Sequence, residues 1–305
     1  MKNKYFIITV DTEGDNLWSY KDGDIVHTKN ALYIPRFQEL CEEFGFKPVY
    51  LANYEMLNSD NFVNYIKPKV DLGLCEIGIH VHAWNNPPFH ELKRKYNVQP
   101  YLIEYPYDIM EEKFRITYNL IIEKFGKAPT SHRAGRWAMD ERYFKLLNKY
   151  GITVDCSFTP GIDWSNTPGA TIGGSNYSKS LVSCSLISNV LEVPVSVRKF
   201  RFFDNGSFKH ILKSLLFGNI VWPRPVCQSL KSVIHLLKNL DKEKETDYIE
   251  YMMHSSEMMP AGSPYFKNDQ SIEELYSNLR KTFMVVRDMG YKGITLNNYY
   301  EKHEK

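Results

Sequence analysis

The 305-residue sequence has no run of about 20 apolar residues, so no segment reads as a membrane-spanning helix. Near its start, Lys2 and Lys4 precede only Tyr5–Val10 before Asp11 interrupts, which is too short for a secretory h-region. The expectation is a cytoplasmic protein, with peripheral contact at the inner membrane left open. Cysteine is scarce. The five residues at 41, 75, 156, 184 and 227 include no pair at zinc-knuckle or redox spacing, and are expected to be reduced thiols in core packing. Charge of one sign is lacking too. Lys and Arg number 38 against 36 Asp and Glu, so net charge provides no argument for a nucleic-acid partner. There is no internal repeat, low-complexity tract or interdomain linker, and the chain is read as one domain over 1–305.

Two short strings stand out. Ile8-Thr9-Val10-Asp11-Thr12-Glu13 and Glu76-Ile77-Gly78-Ile79-His80-Val81-His82 each place two metal-competent side chains two residues apart, after an apolar run. Residues i and i+2 of a strand share a face, so Asp11 with Glu13, and His80 with His82, would converge at strand ends. Carboxylates and imidazoles together are the donors of a hydrolytic Zn-, Co-, Ni- or Fe-type centre.

Strand-like runs alternate with helix-like ones. The strands are expected at Tyr5–Val10, Lys47–Ala52, Cys75–Val81, Pro129–Ala134, Ile152–Cys156, Val190–Val197, Tyr248–His254 and Lys292–Leu296. Between them, Ile34, Phe37, Cys41 and Phe44 make one helical stripe, and Phe114, Tyr118, Ile121 and Phe125 another. Asp140 reads as an N-cap, and Ser271-Ile272-Glu273-Glu274 as a capping box. The alternation implies an α/β fold, a parallel sheet of seven to eight strands curled into a closed or nearly closed (β/α) barrel. In such barrels chemistry sits at the strand C-termini, where Asp11, His80, Arg133, Asp155 and His254 all fall. Residues 158–188 read as a long, substrate-covering loop, and about 205–242 as a helical insertion. Its Leu212, Leu215, Leu216, Lys209, Lys213 and Trp222 suit core or oligomer packing, or a membrane surface.

In this order the motifs resemble those of the polysaccharide deacetylases of the NodB-homology type, carbohydrate esterase family 4, from Thr9 to about Leu296. The chain is most similar to the cell-surface-polysaccharide branch that carries Asp-Thr-Glu and His-x-His. The resemblance implies a distorted (β/α) barrel and removal of N-acetyl groups from amino sugars with a divalent metal, zinc first. It implies Asp11 as general base and Glu13 as ligand, although Thr12 separates acids that the family keeps adjacent. Which acid is the ligand stays open. It implies His80 and His82 as further ligands. Where the common family form has a histidine four residues on, this chain has Trp84, assigned with Trp137 to the sugar. Ser131-His132-Arg133-Ala134-Gly135-Arg136-Trp137 supplies Arg133, which would orient the base. Val154-Asp155-Cys156-Ser157 supplies Asp155, and Tyr251-Met252-Met253-His254-Ser255-Ser256-Glu257 supplies His254 as general acid. Asp155 or Glu257 would hold the tautomer of His254, with Arg133 the alternative partner of Asp155, and both acids are assigned to the substrate groove.

The implied substrate is an amino sugar, nucleotide-linked, lipid-linked or in an oligosaccharide, on the way to lipopolysaccharide or capsule. Two rivals stand beside it: a metal-free carbohydrate-binding scaffold, and a hydrolase of the same fold acting on a non-sugar C–N bond.

Overall fold

In the computed structural model, residues 3–200 and 218–303 are described. Nine strands form one curled sheet, eight of them along one hydrogen-bonded path. The eight are β1 Tyr5–Thr12, β2 Pro48–Ala52, β3 Glu76–Val81, β4 Ser131–Ala134, β5 Val154–Asp155, β6 Ser185–Ile187, β7 Val190–Glu192 and, further on, β10 Tyr248–His254. Their order is β10-β1-β2-β3-β4-β5-β7-β6, and all pairs are parallel except the β6–β7 hairpin. Its turn, Ser188-Asn189, has positive φ at both residues, the geometry that matches strand twist. A short pair, β8 Arg198–Phe200 with β9 Asn219–Val221, stands apart, and β11 Lys292–Gly293 joins the start of β1.

All eight expected strands exist, four of them shortened by two or more residues, while β6, β8 and β9 are not among those expected and β6 falls inside the 158–188 stretch that reads as a loop. The run at 190–197 stops pairing at Glu192, because Pro194 has no N–H to give a ladder. The run at 292–296 pairs with β1 only opposite Tyr5 and Phe6, since β2 occupies that edge from Ile8 onward. A helix, Leu296–His303, follows. The capping box also moves. Asn268, not Ser271, caps the helix Asp269–Asp288: its Oδ1 accepts from the Ser271 N–H at 2.9 Å and the Ser271 hydroxyl faces the Asn268 N–H. Asp140 does cap Glu141–Lys149, accepting from the Tyr143 N–H at 2.9 Å. Of the expected insertion at 205–242, residues up to 217, with Lys209, Leu212, Lys213, Leu215 and Leu216, lie outside the described residues. Leu230–Leu240 is a helix capped by Ser229. Among the described residues no helix is long and apolar enough to cross a membrane.

Strand alternation sorts the side chains into two layers. On β1, Phe6, Ile8 and Val10 pack outward under the helices, while Tyr5 and Ile7 fill the inside of the curl with Val49, Leu51, Val154, Leu191 and Tyr248. The inward series then becomes polar toward the C-terminal end: Tyr5, Ile7, Thr9, Asp11 on β1, and Tyr248, Glu250, Met252, His254 on β10. The polar end of this interior is the floor of a cavity.

Candidate active site

A cavity of about 580 Å³ opens at the C-terminal strand ends, lined by Asp11, Glu13, His80, His82, Trp84, Trp137 and His254 among others. Thus seven of the ten residues expected at the site share one cavity. β1 and β10 run in register with Asp11 opposite His254, and β3 and β4 with His80 opposite Arg133.

Glu13, His80 and His82 form a buried group whose ligand atoms lie within 4.8 Å of one another, and which could hold a metal ion. The donor chemistry fits. His80 Nδ1–H donates to the Arg133 carbonyl at 2.8 Å, so its Nε2 presents a lone pair to the cavity. That Nε2 lies 3.1 Å from His82 Nε2, which is 2.7 Å from Glu13 Oε2. Three lone-pair donors so close together need a cation or a shared proton between them. Burial holds His80 down at about 4 against the pull of Asp11, so it stays neutral, as a ligand must. Nothing larger than glycine fits at 135, where a Cβ would meet the Val81 carbonyl at 2.5 Å and His82 Nδ1 at 3.0 Å.

Arg133 is fully buried beneath the floor. Its guanidinium donates to Asp11 Oδ1 at 2.6 Å, to Thr9 Oγ1 at 2.8 Å and to Glu250, and its Nε to the Cys156 carbonyl at 3.1 Å. Burial works to raise the Asp11 carboxyl, but the charges of Arg133, His80 and His254 outweigh it and hold it at about 2. Asp11 Oδ2 is 3.8 Å from His254 Nε2. His254 Nδ1–H donates to Glu257 Oε1 at 3.1 Å, and although burial lowers its pKa, Glu257, Glu13 and Asp11 bring it above the ordinary histidine value.

Glu257 is therefore the carboxylate that fixes His254. It is fully buried and does not line the cavity, so its placement is behind the histidine and not against a substrate. Asp155 is placed differently from either expectation. It lies on the outward face of β5, accepting from His132 Nδ1 at 2.6 Å and from the Ser157 hydroxyl at 2.8 Å, with neither Arg133 nor His254 as partner. It is also absent from the cavity wall. Alternation explains this, because its neighbours Val154 and Cys156 take the inward positions.

The sequence reading missed Glu250, Trp18 and Arg224. Glu250 had a signal: a glutamate two residues before Met252 and four before His254 shares their strand face, where an acid needs a cation. Trp18 packs edge-on to the His254 ring, with centroids 5.0 Å apart, and donates its N–H to Ser256. Trp84 packs 4.2 Å from the His82 ring, and its buried N–H has no partner.

No family profile matches this chain, and none of the curated proteins matches it in sequence. Solved structures do share its fold. A protein assigned as a polysaccharide deacetylase, from Mycobacterium smegmatis, superposes with TM-score 0.57 at 14% identity, over 97% of this chain and 89% of that one. The 4-α-glucanotransferase of Thermococcus litoralis gives TM-score 0.59 at 12% identity, over 99% of this chain but 41% of that one. At these identities the likeness is one of fold: a mixed α/β domain whose curled sheet is consistent with the distorted barrel of the NodB type.

Proposed function

We propose that this chain is a metal-dependent hydrolase that removes the acetyl group from an N-acetylated amino sugar in a surface-polysaccharide precursor. One observation carries the reading: Asp11, paired with Arg133, and the imidazole of His254 stand 3.8 Å apart in one cavity beside a buried three-donor group. The fold of the M. smegmatis protein, and the polysaccharide deacetylase assignment it bears, support the same class.

Held by Glu13, His80 and His82, a divalent ion such as zinc would polarise the acetyl carbonyl and acidify a bound water. Asp11 accepts the water proton. Arg133 binds its Oδ1 and leaves Oδ2 turned toward His254, so the base is aimed as well as kept charged. His254, with Nδ1 tied to Glu257, presents Nε2 to the cavity and gives its proton to the departing amine. Trp84 and Trp137 wall the sugar, whose apolar face suits an indole.

The first test is elemental analysis of the untagged protein beside the double variant His80→Ala/His82→Ala. About one equivalent of metal is expected in the parent and none in the variant. Metal-free parent protein, still folded after reconstitution, would move the assignment to a carbohydrate-binding scaffold. Acetate release from N-acetyl sugars follows, and Asp11→Asn and His254→Ala should each lower it by about 10² or more. Near-normal turnover in either variant removes that residue from the mechanism.

A further inference from the structure

Two guanidinium groups in the cavity touch none of the groups that react in this hydrolysis. Arg136 and Trp137 follow β4 with φ of 55° and 64°. Left-handed backbone at a non-glycine residue costs on the order of 1–3 kcal/mol and persists only where the surroundings hold it. Here the Tyr177 hydroxyl donates to the Trp137 carbonyl at 2.5 Å, and both side chains end up in the cavity wall.

The Arg136 guanidinium lies over the Tyr101 ring at 4.2 Å and donates to the carbonyls of Gln99 at 2.5 Å and Pro168 at 2.8 Å. Five N–H donors are available to it and these carbonyls engage two nitrogens. Among the described residues no carboxylate lies within ion-pair distance. Glu104, whose charge reaches it, is turned away onto the N–H groups of Tyr101, Ala170 and Ile172 and the Thr171 hydroxyl. Burial holds Arg136 below the ordinary arginine pKa, against the weaker pull of Tyr101 and Glu104. Arg224, in the same cavity, is similarly underused. Its Nε is buried without a partner, and among the described residues the one acid within ion-pair distance, Glu257, is 3.5 Å away. By contrast Arg133 is matched by Asp11 and Glu250.

Resting on the deacetylase reading, we propose that the substrate carries an oxyanion beside its acetamido sugar, and that Arg136, assisted by Arg224, receives it. The planar fork of a guanidinium suits carboxylate and phosphate alike, so the ligand is an N-acetylated uronic acid or an N-acetylated sugar phosphate.

The test is titration of the metal-bearing protein with N-acetylglucosamine, N-acetylglucosamine 1-phosphate and N-acetylglucosaminuronic acid, read by tryptophan fluorescence at low salt. At least one anionic ligand should bind about tenfold or more tightly than the neutral sugar. Arg136→Gln should bring that ratio to near one, and Arg136→Lys should retain part of it. Which anion gains identifies its source as carboxylate or phosphate. Anionic and neutral sugars of equal affinity, or no detectable binding of any of them, overturn the proposal. So does Arg136→Gln weakening all three alike, since that marks Arg136 as a clip between the 99 and 168 loops. Acetate assayed on the same ligands keeps the two readings apart. Selective anion binding without acetate release defeats the deacetylase and leaves the anion site standing. Acetate release with no anion preference does the reverse.

Discussion

One guanidinium serves two acids beneath the cavity. Arg133 neutralises one negative charge, yet Asp11 and Glu250 both bind it. Asp11 has further help from His80 and His254 and stays ionised at about 2. Glu250 has burial and the Asp11 charge against it, and is pushed up from 4.5 to about 7 despite Arg133. The sign for stability follows. A group whose folded pKa lies above its unfolded one binds more protons when folded, so its contribution is full below about 4.5 and is lost as pH rises to about 7. Over that window the parent should lose up to about 3 kcal/mol through this group. Urea unfolding of metal-free protein at a series of pH values should show Glu250→Gln with a correspondingly flatter profile. Parallel profiles would mean that Glu250 is ionised throughout. Removing the cation is a harsher change. Arg133→Met leaves two buried acids without the cation they share, and a loss of about 3–5 kcal/mol is expected by the same measurement.

At the scale of elements, the wall that carries Trp84 is held by a helix. Lys113 on Tyr107–Phe125 is fully buried between Met110 and Thr117, and its ammonium donates to the carbonyls of Ala83 at 2.9 Å, Asn86 at 2.7 Å and Pro88 at 2.5 Å. Asn86 returns a bond to the Lys113 carbonyl at 2.8 Å. Burial brings this lysine down to about 8, against the upward pull of Glu112. Lys113→Met keeps the stem but leaves three buried carbonyls short of a donor, a loss on the order of 2–4 kcal/mol in denaturant unfolding. The Trp84 segment should loosen with it, raising KM for the sugar more than it lowers kcat. An unchanged KM would separate Trp84 from the lysine cage. The sequence marked the helix through Phe114, Tyr118, Ile121 and Phe125, and Lys113 sits on that buried stripe. What it binds was not legible, because backbone carbonyls of a loop 25–30 positions away leave no residue-type signature. Asp155 was illegible for another reason. Both faces of the sheet are buried here, so the apolar pattern of Val154-Asp155-Cys156 does not say which face is inside.

Across the whole molecule, apolar runs announced eight of the eleven described strands, missing the short β6, β8 and β9, and the i, i+2 pairing of Asp11 with Glu13 and of His80 with His82 announced the donor cluster. The way the curl ends was not announced. β7 and β10 make no ladder, so the barrel stays open along one seam. β10 nevertheless has N–H groups directed there. The Glu250 N–H donates to the Ser196 hydroxyl at 3.0 Å, the Met252 N–H to the Pro223 carbonyl at 3.0 Å, and the Tyr248 hydroxyl to the Pro194 carbonyl at 2.9 Å. A serine side chain thus substitutes for the ladder that Pro194 forbids, directly beside the acid that shares Arg133. Ser196→Ala removes the acceptor and should lower stability by about 1–3 kcal/mol. Hydrogen exchange localises the effect. By strand alternation the Tyr251 amide faces β1, so the Glu250 amide should lose protection well beyond that of Tyr251. Equal loss at both would show that the variant lowers global stability and that the seam does not open on its own.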